Sequence, residues 1–391
     1  MKTDEIYLDF AAATPLDEAV ATAMAEASNI FANPSAQYTA GRIAHDTLKK
    51  ARADVAHILA AKSQEIVFTS GATEANNLAI IGSLRAVGMD DCRVLTIATE
   101  HKAVLKPLQN CGAQIDYAHI DERGMVDLAD IKQKISDNTV LVTISYASSE
   151  IGSIQPIGKI AQLIRDVRED RAKRLVNVPI YFQCDASAAA GHLSLDVNRL
   201  GVDLMSLNAA KVYGPKGSGV LYVRRATSIK PIIYGGGQEF ALRPGTENIA
   251  GAVAIAAALK KAEQLRESET KRLGVLSSYL QEKLSSLNPR PTLNGHPKKK
   301  LAGHVSMSFD GINGEDLVAY LDAAGIAVGT GAACAAADSE PSKAVMSLGR
   351  TREAAQGTLR VSMGRTTTQE QLDRFMDELQ KSLVVLATMK S

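Results

Sequence analysis

Two stretches decide the fold class: VPIYFQCDASAAAG at residues 178–191 and DLMSLNAAKVYGPKGSGVLYV at residues 203–223. Each contains apolar runs of the length of a buried strand, bounded by small, charged or turn-forming residues. Seven such runs occur in all: 65–70, 93–99, 113–120, 139–147, 178–186, 203–209 and 219–225. Because helical patterns such as LADIKQKI separate several of these runs, we predict an α/β fold with a mostly parallel seven-stranded sheet flanked by helices.

The chain beyond Asn248 has a different pattern. A long helical pattern covers residues 250–287, with a possible break near Gly274, and the strand-like HVSMSF follows at residues 304–309. The last helical pattern, TTQEQLDRFMDELQKSLVVLATM, closes the sequence. We therefore predict a large domain at residues 15–255. Residues 1–14 and 256–391 are predicted to form a smaller α+β domain.

Composition excludes several classes of protein. The 391 residues carry 44 Lys and Arg against 43 Asp and Glu, so no broad basic surface for nucleic acid or membrane is expected. The longest apolar stretch, residues 250–259, is too short to cross a bilayer, and the N-terminus does not resemble a secretory signal. Cys92, Cys111, Cys184 and Cys334 lack disulfide or zinc spacing. We predict a cytoplasmic, reducing compartment.

Three local features carry chemistry. VFTSGATEANNLAI at residues 67–80 places small and hydroxyl residues where a strand passes into a helix, and such a helix start binds phosphate. Asp185 ends one apolar strand, and Lys211 ends another 26 residues later, by subtraction. A strand-end lysine is desolvated, which favours covalent chemistry with a carbonyl group. Taken singly, an ordinary capped helix start explains the first feature, and a helix N-cap explains Asp185.

Taken together, the three features match the needs of pyridoxal 5'-phosphate. The phosphate would lie at the helix start, a carboxylate would pair with the pyridine nitrogen, and a lysine would bond to the aldehyde carbon. The order of the three features along the chain makes the combination more specific than its parts.

Ten motifs extend this interpretation to a known family. The sequence resembles the cysteine desulfurases of the NifS/IscS branch, which belong to the fold-type I, class V aminotransferase group of pyridoxal-phosphate enzymes. The resemblance runs from about residue 6 to beyond residue 365. The motifs are LDFAAATP, FANPSAQYTAGR, FTSGATEANN, ATEHKAV, SSEIGSIQPI, DASAAAGH, AAKVYGPKGSGVLYV, GGGQEFALRPGTENIAG, GIAVGTGAACAAADSEPS and LRVSMGR.

The resemblance implies a set of cofactor residues. Lys211 matches the lysine that bonds to the cofactor, and Asp185 matches the partner of the pyridine nitrogen. His101 matches the imidazole that stacks on the ring and shuttles protons. Ala72 and Thr73 match the phosphate-binding helix start.

The resemblance also implies substrate-binding, dimer and nucleophile residues. Arg360 matches the arginine that grips the substrate carboxylate, a task suited to a bidentate guanidinium. Thr246 matches a threonine that reaches the phosphate site of the neighbouring subunit, which implies a homodimer. Cys334, in the Gly- and Ala-rich GTGAACAAADSEPS, matches the nucleophile that receives the substrate sulfur.

Several positions around the cofactor depart from the family pattern. Ala188 replaces a Gln that donates to the cofactor's phenolate oxygen, and Asn208 and Ala210 replace a Ser and a His that contact the phosphate. Ser148 and Ser149 replace two Asn, the second of which normally helps to hold both the cofactor and the substrate carboxylate. Each hydrogen bond lost to a charged group costs roughly 1.5–3 kcal/mol. We expect covalent attachment to persist with weaker cofactor retention, partly offset because Asn208 can itself donate to phosphate.

The implied activity is conversion of L-cysteine to L-alanine, with sulfur held as a persulfide on Cys334 for iron–sulfur cluster assembly or other sulfur trafficking. The partners implied are L-cysteine, a second copy of the chain and a sulfur-acceptor protein such as an iron–sulfur scaffold, with no nucleic acid, membrane or metal. Two alternatives stay open at this point. One is a related pyridoxal-phosphate enzyme, such as a selenocysteine lyase or another β-elimination or transamination enzyme. The other is a degenerate homologue that acts as a binding partner.

Overall fold

A computed structural model describes residues 5–331 and 341–388 of the chain. Within these residues the strands are β1 Ile6–Tyr7, β2 Ile66–Thr69, β3 Arg93–Ile97, β4 Gln114–Ala118, β5 Thr139–Thr143, β6 Tyr181–Asp185, β7 Leu204–Asn208, β8 Gly219–Val223, β9 Thr292–Asn294, β10 His304–Ser308, β11 Ile326–Ala327 and β12 Thr358–Ser362. The helices are α1 Glu18–Ser28, α2 Thr39–Ile58, α3 Ala72–Val87, α4 Lys102–Gln109, α5 Leu128–Lys134, α6 Ile157–Lys173, α7 Val197–Leu200, α8 Ile249–Ser285, α9 Gly314–Ala323, α10 Lys343–Met346, α11 Arg352–Gln356 and α12 Gln369–Thr388.

A seven-stranded sheet in the order β2-β8-β7-β6-β5-β3-β4 confirms the predicted architecture. Strands β4, β3, β5, β6 and β7 pair in parallel, while β8 is antiparallel to both β7 and β2. Six strands therefore run in one direction, and their carboxyl ends share one edge. Each strand lies inside one of the seven predicted apolar runs.

Both faces of this sheet are buried, as the continuous apolar runs predict. Successive residues of a strand point to opposite faces. Phe68 and Leu95 accordingly pack into the core that contains α2, α6 and the first part of α8. Their neighbours Val67 and Val94 pack into the core formed with α3 and α4. The sheet is thereby clamped between two helical layers, and the residues that leave its carboxyl edge are held in fixed positions.

A second core lies around two smaller sheets. Strands β12, β10 and β9 form an antiparallel sheet, and β1 pairs in parallel with β11. Ile6 and Leu8 from the start of the chain are buried among residues of α9, α12 and the second half of α8. The N-terminal residues therefore pack with the C-terminal part of the chain, although the predicted boundaries at residues 14 and 255 stay predictions.

Helix α8 is continuous over 37 residues, so the expected break near Gly274 is wrong. Gly274 is an interior helical residue, and the space around the position of its missing side chain is open. A glycine there costs about 1 kcal/mol of helix propensity relative to alanine. Packing on both sides offsets that cost, because Ala252–Ala262 join the core of the large sheet and Leu273–Leu284 join the second core.

None of the helices in the described residues is long and apolar enough to cross a membrane.

Candidate functional site

The polar residues predicted from the sequence meet at the carboxyl edge of the large sheet. A cleft with about 820 Å³ of empty space, here called the Lys211 cavity, opens there. It contains eight of the eleven predicted site residues: Ala72, Thr73, His101, Ser149, Asp185, Ala188, Asn208 and Lys211. This location follows from the topology, since ligands of open α/β sheets bind beyond the carboxyl ends of the strands.

Asp185 ends β6 and is buried at the floor of the cavity. Its Oδ2 accepts a hydrogen bond from Asn76 Nδ2 at 2.7 Å, and its Oδ1 accepts one from the Ser187 N–H at 2.9 Å. Residues 187–192 form turns rather than a helix, so Asp185 is not the N-cap of a helix. Both donors are neutral, and Asp185 forms no ion pair with any described residue. A buried carboxylate in this state favours a cationic ligand group.

Asn76 is a site residue that sequence reasoning missed. Its side chain is fully buried, donates to Asp185, and accepts from Gln183 Nε2 at 2.9 Å and from Ser206 Oγ at 2.5 Å. Asn76 lies four residues after Ala72, so both face the same side of α3. The only signal for it was a polar residue on the apolar face of a helix. Asn76 fixes the orientation of the Asp185 carboxylate.

The start of α3 forms one wall of the cavity. Gly71 is the N-cap residue, with φ of 152°, a conformation that favours glycine. Ala72 and Thr73 open a 16-residue helix whose N-terminus offers amide donors and partial positive charge. Across the cavity, Asn208 Oδ1 accepts the Ala210 N–H at 3.1 Å, which leaves the Asn208 amide NH₂ to donate to a ligand. These groups suit an anion such as phosphate.

Lys211 lies in a short 3₁₀ turn, residues 209–211, directly after β7. Its Nζ donates to the carbonyl oxygens of Ala11 and Ala12, at 2.6 Å each. Thr14 fastens the same N-terminal segment to the turn, since its Oγ1 donates to the Ala210 carbonyl and accepts from the Tyr213 N–H. The N-terminal segment therefore lies against the lysine and orients its amine.

His101 is the N-cap residue of α4, and its Nδ1 accepts the Ala103 N–H at 3.0 Å. An Nδ1 that accepts is unprotonated, so the neutral ring carries its proton on Nε2. Desolvation by the surrounding protein lowers the pKa of His101; Lys211 lowers it further, whereas Asp185 opposes the shift. The imidazole is thereby held neutral in one tautomer beside the lysine and the aspartate.

Arg360, on β12, lies behind the wall of the cavity formed by Ser149. It is 3 % exposed. Its Nη2 donates to Asp9 Oδ1 at 2.6 Å, and its Nη1 donates to the Ser149 carbonyl at 3.1 Å. Its Nε is buried without a hydrogen-bond partner. An unsatisfied guanidinium N–H is suited to an additional carboxylate.

Three of the predicted residues are not among the described residues that line this cavity: Arg360, which lies behind its wall, Thr246 and Cys334. Thr246 is exposed at the surface just before α8 and does not line the cavity of its own chain. Cys334 lies outside the described residues. Their assigned roles stay predictions.

Comparison with known proteins establishes the family. Residues 6–375 match the family described as Aminotransferase class-V. The chain is a class-V aminotransferase family member.

Several relatives of this class-V aminotransferase family member are described as cysteine desulfurases. A cysteine desulfurase IscS of Dictyoglomus turgidum is 37% identical over 388 residues, covering 98% of this chain and 96% of the relative. A mitochondrial cysteine desulfurase of Drosophila melanogaster is 37% identical over 391 residues, covering 98% of this chain and 82% of the relative. Among solved structures, a NifS-like protein has a TM-score of 0.89 at 30% identity, covering 98% of this chain and all of its own. An apo cysteine desulfurase from Thermococcus onnurineus has a TM-score of 0.84 at 26% identity, covering 98% and 96% of the two chains.

Class-V aminotransferases use pyridoxal phosphate, and the residues of the Lys211 cavity fit this cofactor. Asp185 is a buried carboxylate with only neutral partners among the described residues, and a protonated pyridine nitrogen would supply the cation. Ser187 Oγ, also in the cavity, is buried without a hydrogen-bond partner. The helix start at Ala72 suits a phosphate, and Lys211 supplies the amine.

Glu100 is a second residue near the site that sequence reasoning did not identify. It is buried one residue before His101, and its carboxylate accepts hydrogen bonds from the backbone N–H and the Oγ of Ser145, a residue of the cavity wall. Burial is the main cause that raises the pKa of Glu100 to about 8; the Ser145 hydrogen bonds lower it in part, and the Asp185 charge adds to the rise. A carboxylic acid of this kind holds a proton at neutral pH.

The raised pKa of Glu100 predicts a pH-dependent stability. Between its ordinary value of 4.5 and about 8, the folded state binds more protons than the unfolded state, so the free energy of unfolding falls as pH rises. The slope due to this group is at most about 1.4 kcal/mol per pH unit. In Glu100→Gln, a neutral amide should replace the protonated acid and remove this contribution. Thermal unfolding of both proteins from pH 5 to 9 measures the difference, with exposed Glu122→Gln as control. Parallel curves for the wild type and Glu100→Gln would contradict the assignment.

Proposed function

We propose that the chain is a cysteine desulfurase that converts L-cysteine to L-alanine and receives the sulfur as a persulfide on Cys334. The observation that carries this proposal is the grouping of Lys211, Asp185 and His101 in one cavity whose wall, through Ser149, contacts buried Arg360. The relatives that share the chain over nearly its full length are cysteine desulfurases by description. The nucleophile is assigned by position in the motif GTGAACAAADSEPS.

The proposal includes pyridoxal phosphate as the resident cofactor. Lys211 would hold it covalently, Asp185 would pair with its ring nitrogen, and the start of α3 with Asn208 would hold its phosphate. When bound, the cofactor supplies an electron sink for the carbon that loses sulfur. His101 would lie against the ring and keep a single proton on Nε2.

Other side chains are proposed to bind the substrate, transfer a proton and accept the sulfur. Arg360 is proposed to bind the substrate carboxylate with the N–H group that lacks a partner, while Asp9 and the Ser149 carbonyl hold the guanidinium in place. Lys211, oriented by the Ala11 and Ala12 carbonyls, is placed to accept and return a proton at the substrate α-carbon. The Cys334 thiolate attacks the substrate sulfur, the carbon–sulfur bond breaks, and its electron pair leaves on carbon. A proton then completes alanine.

The departures from the family pattern are part of the proposal. Ala188 and Ala210 have no side-chain donors, so the ring oxygen and the phosphate would lose contacts there, and the Asn208 NH₂ would replace one of them. Weaker retention of the cofactor than in the family pattern is therefore expected, with attachment through Lys211 intact.

Assembly and partners complete the proposal. A homodimer is supported by exposed aromatic side chains, Phe31 (91 % exposed), Tyr38 (60 %) and Tyr234 (79 %), which a second copy would cover, and by Thr246 at the surface. Equilibrium sedimentation should give twice the mass of one chain.

The persulfide would be passed to an acceptor protein. A cytoplasmic location is included because a catalytic thiol needs a reducing compartment, and cell fractionation tests it.

The nucleophile provides the direct test of this function. With L-cysteine and pyridoxal phosphate, the wild type should release alanine and, with a reductant, an equal amount of sulfide. Cys334→Ala should reduce both products to background while its absorption change on adding cysteine persists, because only the sulfur acceptor is lost. Cys111→Ala serves as the matched control, since Cys111 lies half-buried outside the cavity. Full activity of Cys334→Ala would remove the assigned nucleophile.

A further inference from the structure

Glu150 lines the Lys211 cavity but has no part in the proposed chemistry. Its backbone is held firmly: the Glu150 N–H donates to Ser148 Oγ at 3.3 Å, and the Glu150 carbonyl accepts from His304 Nε2 at 3.2 Å. Its side chain reaches away from Ser149 to a different part of the fold, where Glu150 Oε2 accepts a hydrogen bond from Ser342 Oγ at 2.6 Å. The two residues are 192 positions apart in sequence.

The side chain of Ser342 is held in place by its surroundings. It is buried, and its Oγ accepts the Val345 N–H at 3.1 Å as the N-cap of α10. One hydroxyl therefore both caps the short helix and donates to Glu150. Removal of either partner leaves the other with an unsatisfied buried polar group.

Gly331 lies next to Ser342, and the contact between positions 331 and 342 is here called the junction. Arg360 Nη1 lies 3.5 Å from the Gly331 carbonyl and 3.1 Å from the Ser149 carbonyl. A side-chain carbon on Gly331 would lie 3.0 Å from Ser342 Cβ, so the chain positions at 331 and 342 are in direct contact. Arg360 thus connects Ser149 to Gly331, and Glu150 contacts Ser342. Gly331 directly precedes residues 332–340, which include Cys334, and Ser342 comes two residues after them.

Covalent geometry links this junction to the proposed nucleophile. Cys334 follows Gly331 by three residues in the sequence, by subtraction, so only a short length of chain connects the nucleophile to this junction. Attack on sulfur requires the reacting atoms to approach to about 3–3.5 Å, and a misplacement of about 1 Å costs up to roughly 100-fold in rate. A loosened junction would therefore lower the rate of sulfur transfer and leave substrate binding unchanged.

We propose that Glu150 is a positioning residue for sulfur transfer, which it serves by holding Ser342 and thereby fixing the junction of positions 331 and 342 beside the cavity. This inference rests on the proposed function. It adds a role for a carboxylate whose pKa is raised by burial and lowered in part by the Ser342 hydrogen bond.

The kinetic test uses matched variants. Glu150→Ala should lower kcat for alanine formation about 10- to 100-fold, with an unchanged KM for L-cysteine and an unchanged cofactor absorption spectrum. Glu150→Gln, whose amide oxygen still accepts from Ser342, should retain most of the activity. Ser342→Ala should reproduce the loss, Ser342→Thr should restore it, and the double variant Glu150→Ala with Ser342→Ala should be no slower than either single one. A raised KM or an altered spectrum in Glu150→Ala, with kcat intact, would overturn the inference.

A second measurement does not depend on activity. Amide hydrogen exchange of a peptide covering residues 341–348 should accelerate at least tenfold in Glu150→Ala and stay at the wild-type rate in Glu150→Gln. Unchanged exchange in Glu150→Ala overturns the inference even if the enzyme is active. A wild type that makes no alanine rejects the proposed function, whereas an active wild type with a fully active Glu150→Ala rejects only the role of Glu150. If Glu150→Ala fails to fold, Ser342→Ala and Ser342→Thr test the same hydrogen bond.

Discussion

Replacement of Lys211 by alanine should lower turnover of L-cysteine by about 1000-fold or more and abolish covalent attachment of pyridoxal phosphate. Among the described residues that line the Lys211 cavity, Lys211, in the turn after β7, is the only lysine. Absorbance of the purified protein with added cofactor, before and after borohydride reduction, measures attachment directly. Mass spectrometry should find the reduced adduct on the peptide that contains Lys211 in the wild type and find none in the variant.

Two control variants separate chemistry from folding in this experiment. Lys211→Arg keeps a cationic donor for the Ala11 and Ala12 carbonyls, so the N-terminal segment should stay in place, yet a guanidinium cannot form the covalent link. We expect it to be as inactive as Lys211→Ala and nearly as stable as the wild type. Lys216→Ala, at an exposed position five residues later, should be fully active. Turnover by Lys211→Arg would disprove the assigned role.

Asp185→Asn is expected to lower turnover and to change the spectrum of the bound cofactor. The substitution preserves shape and can keep the hydrogen bond from the Ser187 N–H, but it places an NH₂ group against the Asn76 NH₂ donor and removes the buried negative charge. Loss of a charged hydrogen bond of about 1.5–3 kcal/mol to a protonated ring nitrogen corresponds to a reduction in turnover of roughly 10- to 150-fold. Because the nitrogen would lose its proton, the absorption maximum of the bound cofactor should shift as well.

The control for Asp185 is a carboxylate of similar kind that lies outside the cavity. Asp203, also buried and directly before β7, pairs with Arg168 and Arg224 and does not line the cavity. Asp203→Asn should reduce thermal stability without moving the cofactor absorption maximum. If Asp185→Asn showed an unshifted spectrum and wild-type turnover, Asp185 would not be the partner of the ring nitrogen.

The seven strands and the placement of Asp185 and Lys211 followed from local sequence because apolar runs and their polar ends are properties of neighbouring residues. Interactions between distant positions left no such pattern. Asn76 meets Asp185 across 109 positions, Glu150 meets Ser342 across 192, and Arg360 meets Asp9 across 351. Asn76, Ser342 and Asp9 are polar residues without a distinctive local pattern, and only the folded chain brings them to their partners.

The expected break in α8 shows that local sequence can also predict a feature that tertiary packing prevents. Gly274 has a poor helix propensity, and on propensity alone an interruption is reasonable. The helix persists because its two halves are buried in two different cores, and tertiary packing outweighs a penalty of about 1 kcal/mol.

Within the described residues, Lys211 Nζ donates to two main-chain acceptors, the carbonyls of Ala11 and Ala12. Every amino acid has a carbonyl, so the residues at positions 11 and 12 are free to change in evolution without loss of this restraint, provided that the backbone keeps its path. Mutational scanning would report these positions as tolerant, even though the atoms there orient the amine on which the proposed catalysis depends. Deleting a residue between Asp9 and Thr14 would be far more damaging than substituting one.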